Sequence, residues 1–468
     1  MADNKSSGKP FLIIAGAVAV LAALSFIPWG ALTGNFFKDY DLTEDISTVK
    51  KERAETDEQI DPALAEAEKL LAQEAADETA RHAAETAVHE GAEVPDSLMR
   101  PVIDPRRGDL VTFEDYTLEG HGLRNLKAAL DRRGTRPARI AVIGDSYIEG
   151  DLFTQDIRSL LQEKYGGRGV GYVTPHNMVS GFRQSVHQTD KGWTDHDLRK
   201  DTQHDSRWLS GQRFSGEPGA TVTWKASKTP AHADGWNTAT ILFRAPAAGV
   251  IVTDTGTGPV EHPVEASDAV QAIELTGDMT RLTLTNKSVS GLSVYGVWVN
   301  DATGVTVDCM SLRGNSGITH RAVDKALARD MARFVDYDLI VVEFGINALS
   351  SKQKDYSNYG RLMGRTLSAL KAAYPNADII LMGVGDRGQK SGGEVHSLPT
   401  IQNMVDTQRE TARKAGVIFW DTRQAMGGDD AVVRWRDDRL INADYIHLNA
   451  KGGAALARLF TNALYEAL

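Results

Sequence analysis

The chain has 468 residues, more than one core usually takes, and 41% of them are hydrophobic, so two or more folded units are expected. Its formal net charge of -11 leaves no basic stripe to neutralise phosphates, which excludes nucleic acid as a partner class. A lone cysteine, Cys309, excludes an intrachain disulfide and any cysteine-based zinc site.

From Phe11 to Pro28 no residue is charged, and Trp29 closes the run. This is about the length, roughly 20 residues, that a helix needs to cross the hydrocarbon core of a bilayer. Lys5 and Lys9 precede it and Asp39, Asp41, Glu44 and Asp45 follow, so the positive-inside preference puts the N-terminus in the cytoplasm and the bulk of the chain outside. The run is longer than a usual signal core and no Ala-x-Ala site follows, which favours an uncleaved anchor over residues 1–34. Residues 35–105 are dominated by Ala, Glu, Asp and Lys, as in the stretch from Asp61 to Ala75. Such composition favours helix, but its apolar stripe is too thin to build a core, so this part is expected to be a spacer ended by the prolines from Pro95 to Pro105.

Residues 106–175 open a folded unit. Ile140-Ala-Val-Ile-Gly144 has the apolar, β-branched texture of a buried parallel strand, Gly144-Asp-Ser146 turns, and Leu152, Ile157, Leu160 and Leu161 follow at near-helical spacing. Residues 176–310 differ. Thr, Ser, Val, Gly and Trp are frequent, and alternation in Ala220 to Lys225, Thr238 to Arg244, Thr280 to Thr285 and Leu292 to Val299 predicts short strands of an inserted β-sandwich. Over 311–468 strands again alternate with helices: strands at Asp338 to Gly345, Asp378 to Gly383 and Gly416 to Asp421, helices at Tyr359 to Tyr374, Thr400 to Ala415 and Lys451 to Leu468. Such alternation predicts a parallel sheet covered on both faces, with functional residues at the carboxyl ends of its strands.

Four strand-end positions carry candidate chemistry. A serine becomes nucleophilic when an imidazole takes its proton and a carboxylate holds that imidazole. Ser146 follows one strand, and Asp444-Tyr-Ile-His447 supplies both partners from one turn before the last helix. Attack on an ester puts negative charge on the carbonyl oxygen; losing one donor to it costs about 2.7–4 kcal/mol of barrier stabilisation. The Gly317 amide, in Arg313-Gly-Asn-Ser-Gly317, and the Asn347 side chain, in Gly345-Ile-Asn347, suit that task.

These residues resemble the SGNH (GDSL-type) hydrolases, a family named for Ser, Gly, Asn and His in four blocks, matched by Gly144-Asp-Ser146, Ser316-Gly317, Gly345-Ile-Asn347 and Asp444-Tyr-Ile-His447. The resemblance covers about Arg139 to Leu468 without the insert. It implies an α/β, flavodoxin-like three-layer fold, Ser146 as nucleophile, His447 as general base and Asp444 as its carboxylate. It also implies an oxyanion hole of the Ser146 amide, the Gly317 amide and Asn347, with no cofactor and no metal. Two departures stand out: Ala348 where members often carry Asp, and a displaced second block, which leaves Gly314 as a competitor for Gly317. A β-rich insert after Gly167-Arg-Gly-Val-Gly-Tyr172 is similar to that of bacterial peptidoglycan O-acetylesterases, whose insert is carbohydrate-binding-like.

With the expected N-terminal anchor, that resemblance implies an inner-membrane, single-pass protein with its catalytic part in the periplasm, removing O-acetyl groups from an envelope glycan. The alternatives are an O-acetyltransferase partnered by a membrane-bound O-acyltransferase, and a non-catalytic glycan binder. Trp193, Trp208, Trp224, Trp236 and Trp298 are expected mostly in the core of the insert rather than against sugar rings. Asp195-His-Asp197 and His204-Asp205 are expected to be solvated polar loop rather than metal ligands.

Overall fold

The computed structural model describes residues 110–200 and 205–468. The expected membrane span, the spacer and His204 lie outside the described residues. Among the described residues no helix is long and apolar enough to cross a membrane.

Strand β1 (Glu114–Asp115) and helix α1 (Arg124–Asp131) lead into β2 (Ala138–Gly144) and α2 (Thr154–Tyr165). Nine strands follow: β3 (Gly169–Val173), β4 (Val186–Asp197), β5 (Gln212–Ala226), β6 (Trp236–Ala245), β7 (Gly249–Asp254), β8 (Pro259–Val264), β9 (Ser267–Met279), β10 (Arg281–Asn286) and β11 (Ser293–Asn300). Alternation resumes with β12 (Val305–Ser311), α3 (Lys325–Ala332), β13 (Leu339–Glu343), α4 (Ser357–Ala373) and β14 (Asp378–Met382). A hairpin of β15 (Gly388–Ser391) and β16 (Glu394–Ser397) precedes α5 (Ile401–Ala415), β17 (Ile418–Trp420), α6 (Thr422–Met426), α7 (Ala431–Asp437) and α8 (Ala450–Ala467).

The first sheet has the order β1-β17-β14-β13-β2-β12, parallel throughout except for the short edge strand β1. Counted along the chain, its five parallel strands stand in the order 2-1-3-4-5, the doubly wound flavodoxin-like arrangement. Ile140 to Ile143 and Leu339 to Val342 are almost completely buried, as strands covered on both faces require. Helix α2 packs with α8, and α4 with α3 and α5. Leu362, Met363, Thr366, Leu367 and Leu370 form the inward stripe of α4 at three- and four-residue spacing. The strand order reverses between β2 and β13, so a crevice opens at their carboxyl ends, beside Ser146 and Asn347.

The inserted strands form one sheet of nine, with the path β8-β7-β10-β5-β11-β6-β9 and with β3 and β4 joined to β11 and β5. The expected boundaries of 176–310 are corrected at both ends. Gly169–Val173 pairs with β11 and belongs to the insert, whereas Val305–Ser311 pairs in parallel with β2 and belongs to the first sheet. The two layers of the insert are joined rather than separate. Long β5 pairs with β10 through its second half and with β11 near Phe214, so hydrogen bonding is continuous through a sheet folded over its own core. Val222, Trp224, Leu282 and Leu284 meet Ile241, Phe243, Val297 and Val299 in that core.

The outer face of the insert is not free. Tyr172, Trp208, Tyr295 and Trp298 pack ring against ring and join the hydrophobic core of the doubly wound unit. Asp308 of β12 is fully buried and ties the two together. It accepts from the Trp298 indole (2.8 Å), the Tyr337 hydroxyl (2.7 Å) and the Tyr172 amide (3.1 Å). All five tryptophans singled out from the sequence are at most 7% exposed.

Candidate active site

Gly144 ends β2 opposite Glu343 of β13: a Cβ there would lie 2.8 Å from the Glu343 carbonyl oxygen and 2.6 Å from its Oε2, so glycine alone fits between the strands. The chain then turns. Asp145 is fully buried, accepts from the Tyr147 amide (2.9 Å) and leaves half-buried Ser146 at the rim of the crevice. Ser146 Oγ lies 2.9 Å from His447 Nε2, and His447 Nδ1 lies 2.8 Å from Asp444 Oδ2.

The carboxylate and imidazole share one tight turn. Asp444 Oδ1 accepts from the amides of Ile446 (2.9 Å) and His447 (3.1 Å), and Tyr445 adopts a left-handed conformation, φ 60°, to close the turn. Burial opposes ionisation of Asp444. The His447 hydrogen bond and charge, with the two amides, outweigh it and hold the carboxyl below its ordinary value. Asp444 therefore stays a carboxylate at neutral pH and fixes the imidazole with Nε2 facing the serine. Helix α8 seats this turn. Asn449 caps it by accepting from the Lys451 and Gly452 amides, and a Cβ on Gly453 would lie 1.7 Å from the Leu152 carbonyl oxygen.

Asn347 stands beside the nucleophile turn. Its Nδ2 donates to Asp145 Oδ2 (2.8 Å) and, over a longer 3.2 Å, to the Asn315 carbonyl. Gly317 is corrected as an oxyanion donor. It is buried, its amide donates to Asn315 Oδ1 (2.7 Å), its carbonyl accepts from Thr366, and its φ of 86° turns the chain against Phe344. Gly314 is partly exposed, and its amide, like that of Ser146, donates to no acceptor among the described residues. Its loop runs beside the nucleophile, for the Leu312 amide donates to the Gly144 carbonyl (2.8 Å). Ala348 is fully buried among apolar residues.

Sequence reasoning missed three groups. Asp145, inside the Gly-Asp-Ser motif, organises both its own turn and Asn347. Asn315 holds Gly317 through its side chain and Asn347 through its carbonyl, a role signalled only by its place within Arg313-Gly-Asn-Ser-Gly317. Glu343 lies buried below the serine turn with Oε2 unpartnered, and the charge of Asp145 disfavours its ionisation. Burial raises both carboxyls. Glu343 is the better holder of a proton, since Asp145 accepts two hydrogen bonds as an anion.

Asp197 is buried and bound to Arg199, which corrects its place in a solvated loop; His196 Nε2 meets Ser215 Oγ (2.8 Å) and Asp205 pairs with Arg244. Among the described residues no cluster of three or more His, Cys, Asp or Glu could hold a metal ion.

Nucleophile, imidazole and carboxylate in hydrogen-bonded sequence at the switch point of a doubly wound sheet are the equipment of a serine acyl hydrolase. Residues 286–455 match the family described as GDSL-like lipase/acylhydrolase, a stretch that includes Asn347, Asp444 and His447 but begins after Ser146 and most of the insert. Over that stretch the chain resembles the GDSL-like acylhydrolases, and with the relay above it is an enzyme of the esterase and acyl-hydrolase class. Its fold is similar to that of a peptidoglycan O-acetylesterase, with a TM-score of 0.61 and 21% identity, covering 76% of this chain and 98% of that one. A family two carbohydrate esterase from Cellvibrio japonicus matches with 13% identity and a TM-score of 0.25, covering 60% of this chain and 98% of that one. The search of curated proteins found no similar sequence.

Proposed function

We propose that this protein is a serine O-acetylesterase that acts on an envelope polysaccharide, peptidoglycan being the favoured substrate. The relay Ser146–His447–Asp444, with spacings of 2.9 and 2.8 Å, is the observation that carries the reading. Ser146 Oγ attacks the acetyl carbonyl carbon while His447 Nε2 takes the hydroxyl proton, and the carbonyl π electrons move to oxygen. The amides of Ser146 and Gly314 and the Asn347 side chain meet that oxyanion, Asn347 exchanging its longer bond to Asn315. The tetrahedral species then expels the sugar oxygen, which takes the proton from His447 and leaves acetyl-Ser146. Water, deprotonated by His447, attacks the acetyl group, acetate departs and Ser146 recovers its proton.

The likeness of fold to a peptidoglycan O-acetylesterase supports the substrate class, and the uncharged run from Phe11 to Pro28 supports a membrane anchor with the hydrolase outside the cytoplasm. The test is acetate release from O-acetylated peptidoglycan by the wild-type chain beside Ser146→Ala. Release by the wild type alone is expected. Release or transfer only when a sugar acceptor is added would make the enzyme an O-acetyltransferase, and equal behaviour of the two chains would remove the catalytic reading.

A further inference from the structure

We infer that Arg199, carried by the inserted sheet, is a positioning residue for the oxyanion hole of the hydrolase unit; the inference rests on the esterase reading above. Asp197, the last residue of β4, is buried and grips Arg199 with both carboxylate oxygens. Oδ1 accepts from the Arg199 amide (2.8 Å) and Nε (3.2 Å), and Oδ2 from Nη2 (3.0 Å). The guanidinium is thereby fixed in direction, and its Nη1 donates to the carbonyl oxygen of Arg313 (2.9 Å). In a planar trans peptide the C=O of Arg313 and the N–H of Gly314 point to opposite sides. A cation held on the oxygen therefore aims the Gly314 N–H away from the insert and makes it a stronger donor.

The surroundings agree with that role. A Cβ on Gly314 would lie 3.4 Å from Arg199 Nη1, so the guanidinium closes directly over this peptide. The flanking residues tie the loop to the catalytic turn: Leu312 donates to Gly144, and Asn315 accepts from Asn347, which also holds Asp145 beside Ser146. On the insert side, the Leu198 amide donates to the Gly211 carbonyl, and a Cβ on Gly211 would lie 2.9 Å from Leu198 and 3.3 Å from Leu312. The inserted sheet thus contributes to the chemistry of the site, through one peptide group, without placing a side chain on the reacting atoms.

The experiment compares the full-length wild type with Arg199→Ala, Arg199→Lys, Asp197→Asn and Ser146→Ala on 4-nitrophenyl acetate, with the rate of Ser146 labelling by a fluorophosphonate as a second readout. Removing a whole oxyanion donor costs about 10²–10³ in kcat, so misaiming one is expected to cost about 10- to 100-fold in Arg199→Ala with KM within about twofold of wild type. Labelling should fall in parallel, because the phosphonyl oxygen occupies the same hole. Arg199→Lys should recover part of the loss, since an ammonium can donate to the Arg313 carbonyl, and Asp197→Asn should show a smaller loss of the same kind. Undiminished kcat in Arg199→Ala, or a rise in KM with kcat unchanged, would overturn the inference. A wild type no faster than Ser146→Ala would instead overturn the esterase reading, and the inference with it.

Discussion

His447 can serve Ser146 only because Asp444 lies three residues before it on the same turn, and this kind of arrangement is readable from a sequence. That Ser146, His447, Asp444 and Asn347 would lie together was legible from residue type, local spacing and the four-block resemblance. The backbone donor that we propose at Gly314 was not, since the direction of an amide N–H is set by φ, ψ and a neighbour such as Asn315, none of which a glycine-rich string reveals. Gly317→Ala separates the two glycines. At φ 86°, with a Cβ 2.6 Å from the Phe344 ring, alanine is expected to lower stability by about 1–3 kcal/mol in denaturant titration. The folded fraction should keep kcat within about threefold, whereas a loss of about 10²-fold would restore Gly317 as a donor.

The buried carboxyl pair gives a second test at this scale. Burial, followed by the charge of Asp145, raises Glu343 well above its ordinary value, and Asp145 is itself pushed up to about 7. A carboxyl whose folded pKa exceeds its unfolded one binds its proton more tightly when native. Its stabilisation is complete below the unfolded pKa and lost as pH rises through the folded one. Glu343→Gln cannot ionise. Thermal unfolding should therefore place its Tm near that of the wild type at about pH 5 and above it at about pH 8, and a Tm difference independent of pH would contradict this account.

Among the elements, β2, β13 and β14 announce themselves as short apolar runs, and α4 and α5 by helical spacing. Strand β12 did not, and β3, legible as a short strand after a glycine-dense turn, did not reveal its sheet. Gly169-Val-Gly-Tyr-Val173 lies next to a hydrolase helix in sequence yet pairs with β11, and the polar residues of Val305-Thr-Val-Asp-Cys-Met-Ser311 hide a central-sheet strand because Asp308 is consumed as a buried tether. The seat of α8 is the element most sensitive to a single atom. Gly453→Ala sets a methyl group against the Leu152 carbonyl, so α8 must shift, taking with it the turn that carries Asp444 and His447. The expected outcome is a loss of about 1–3 kcal/mol in stability together with reduced kcat, and a variant with wild-type stability would refute this view of the helix seat.

At the scale of the whole molecule, the insert and the hydrolase unit read from sequence as separable domains, because strand patterns do not report which outward-facing aromatics meet another unit. Tyr172, Trp208, Tyr295 and Trp298 complete the hydrolase core, and the Asp308 hydrogen bonds cross between the two. Chemical unfolding followed by tryptophan fluorescence and by far-ultraviolet circular dichroism should therefore give one coincident transition for both. Excising residues 169–300 should give an insoluble or unfolded chain. A soluble, active remnant would show that the two units are independent.

The central claim is that Ser146 is acylated during turnover. Rapid mixing with 4-nitrophenyl acetate, acid quench and peptide mass spectrometry test it directly. The account predicts one acetyl group per chain, on the peptide containing Ser146, absent from Ser146→Ala and removed with time in the wild type. Ester cleavage with Ser146 left unmodified, or with the acetyl group on another residue, would contradict it.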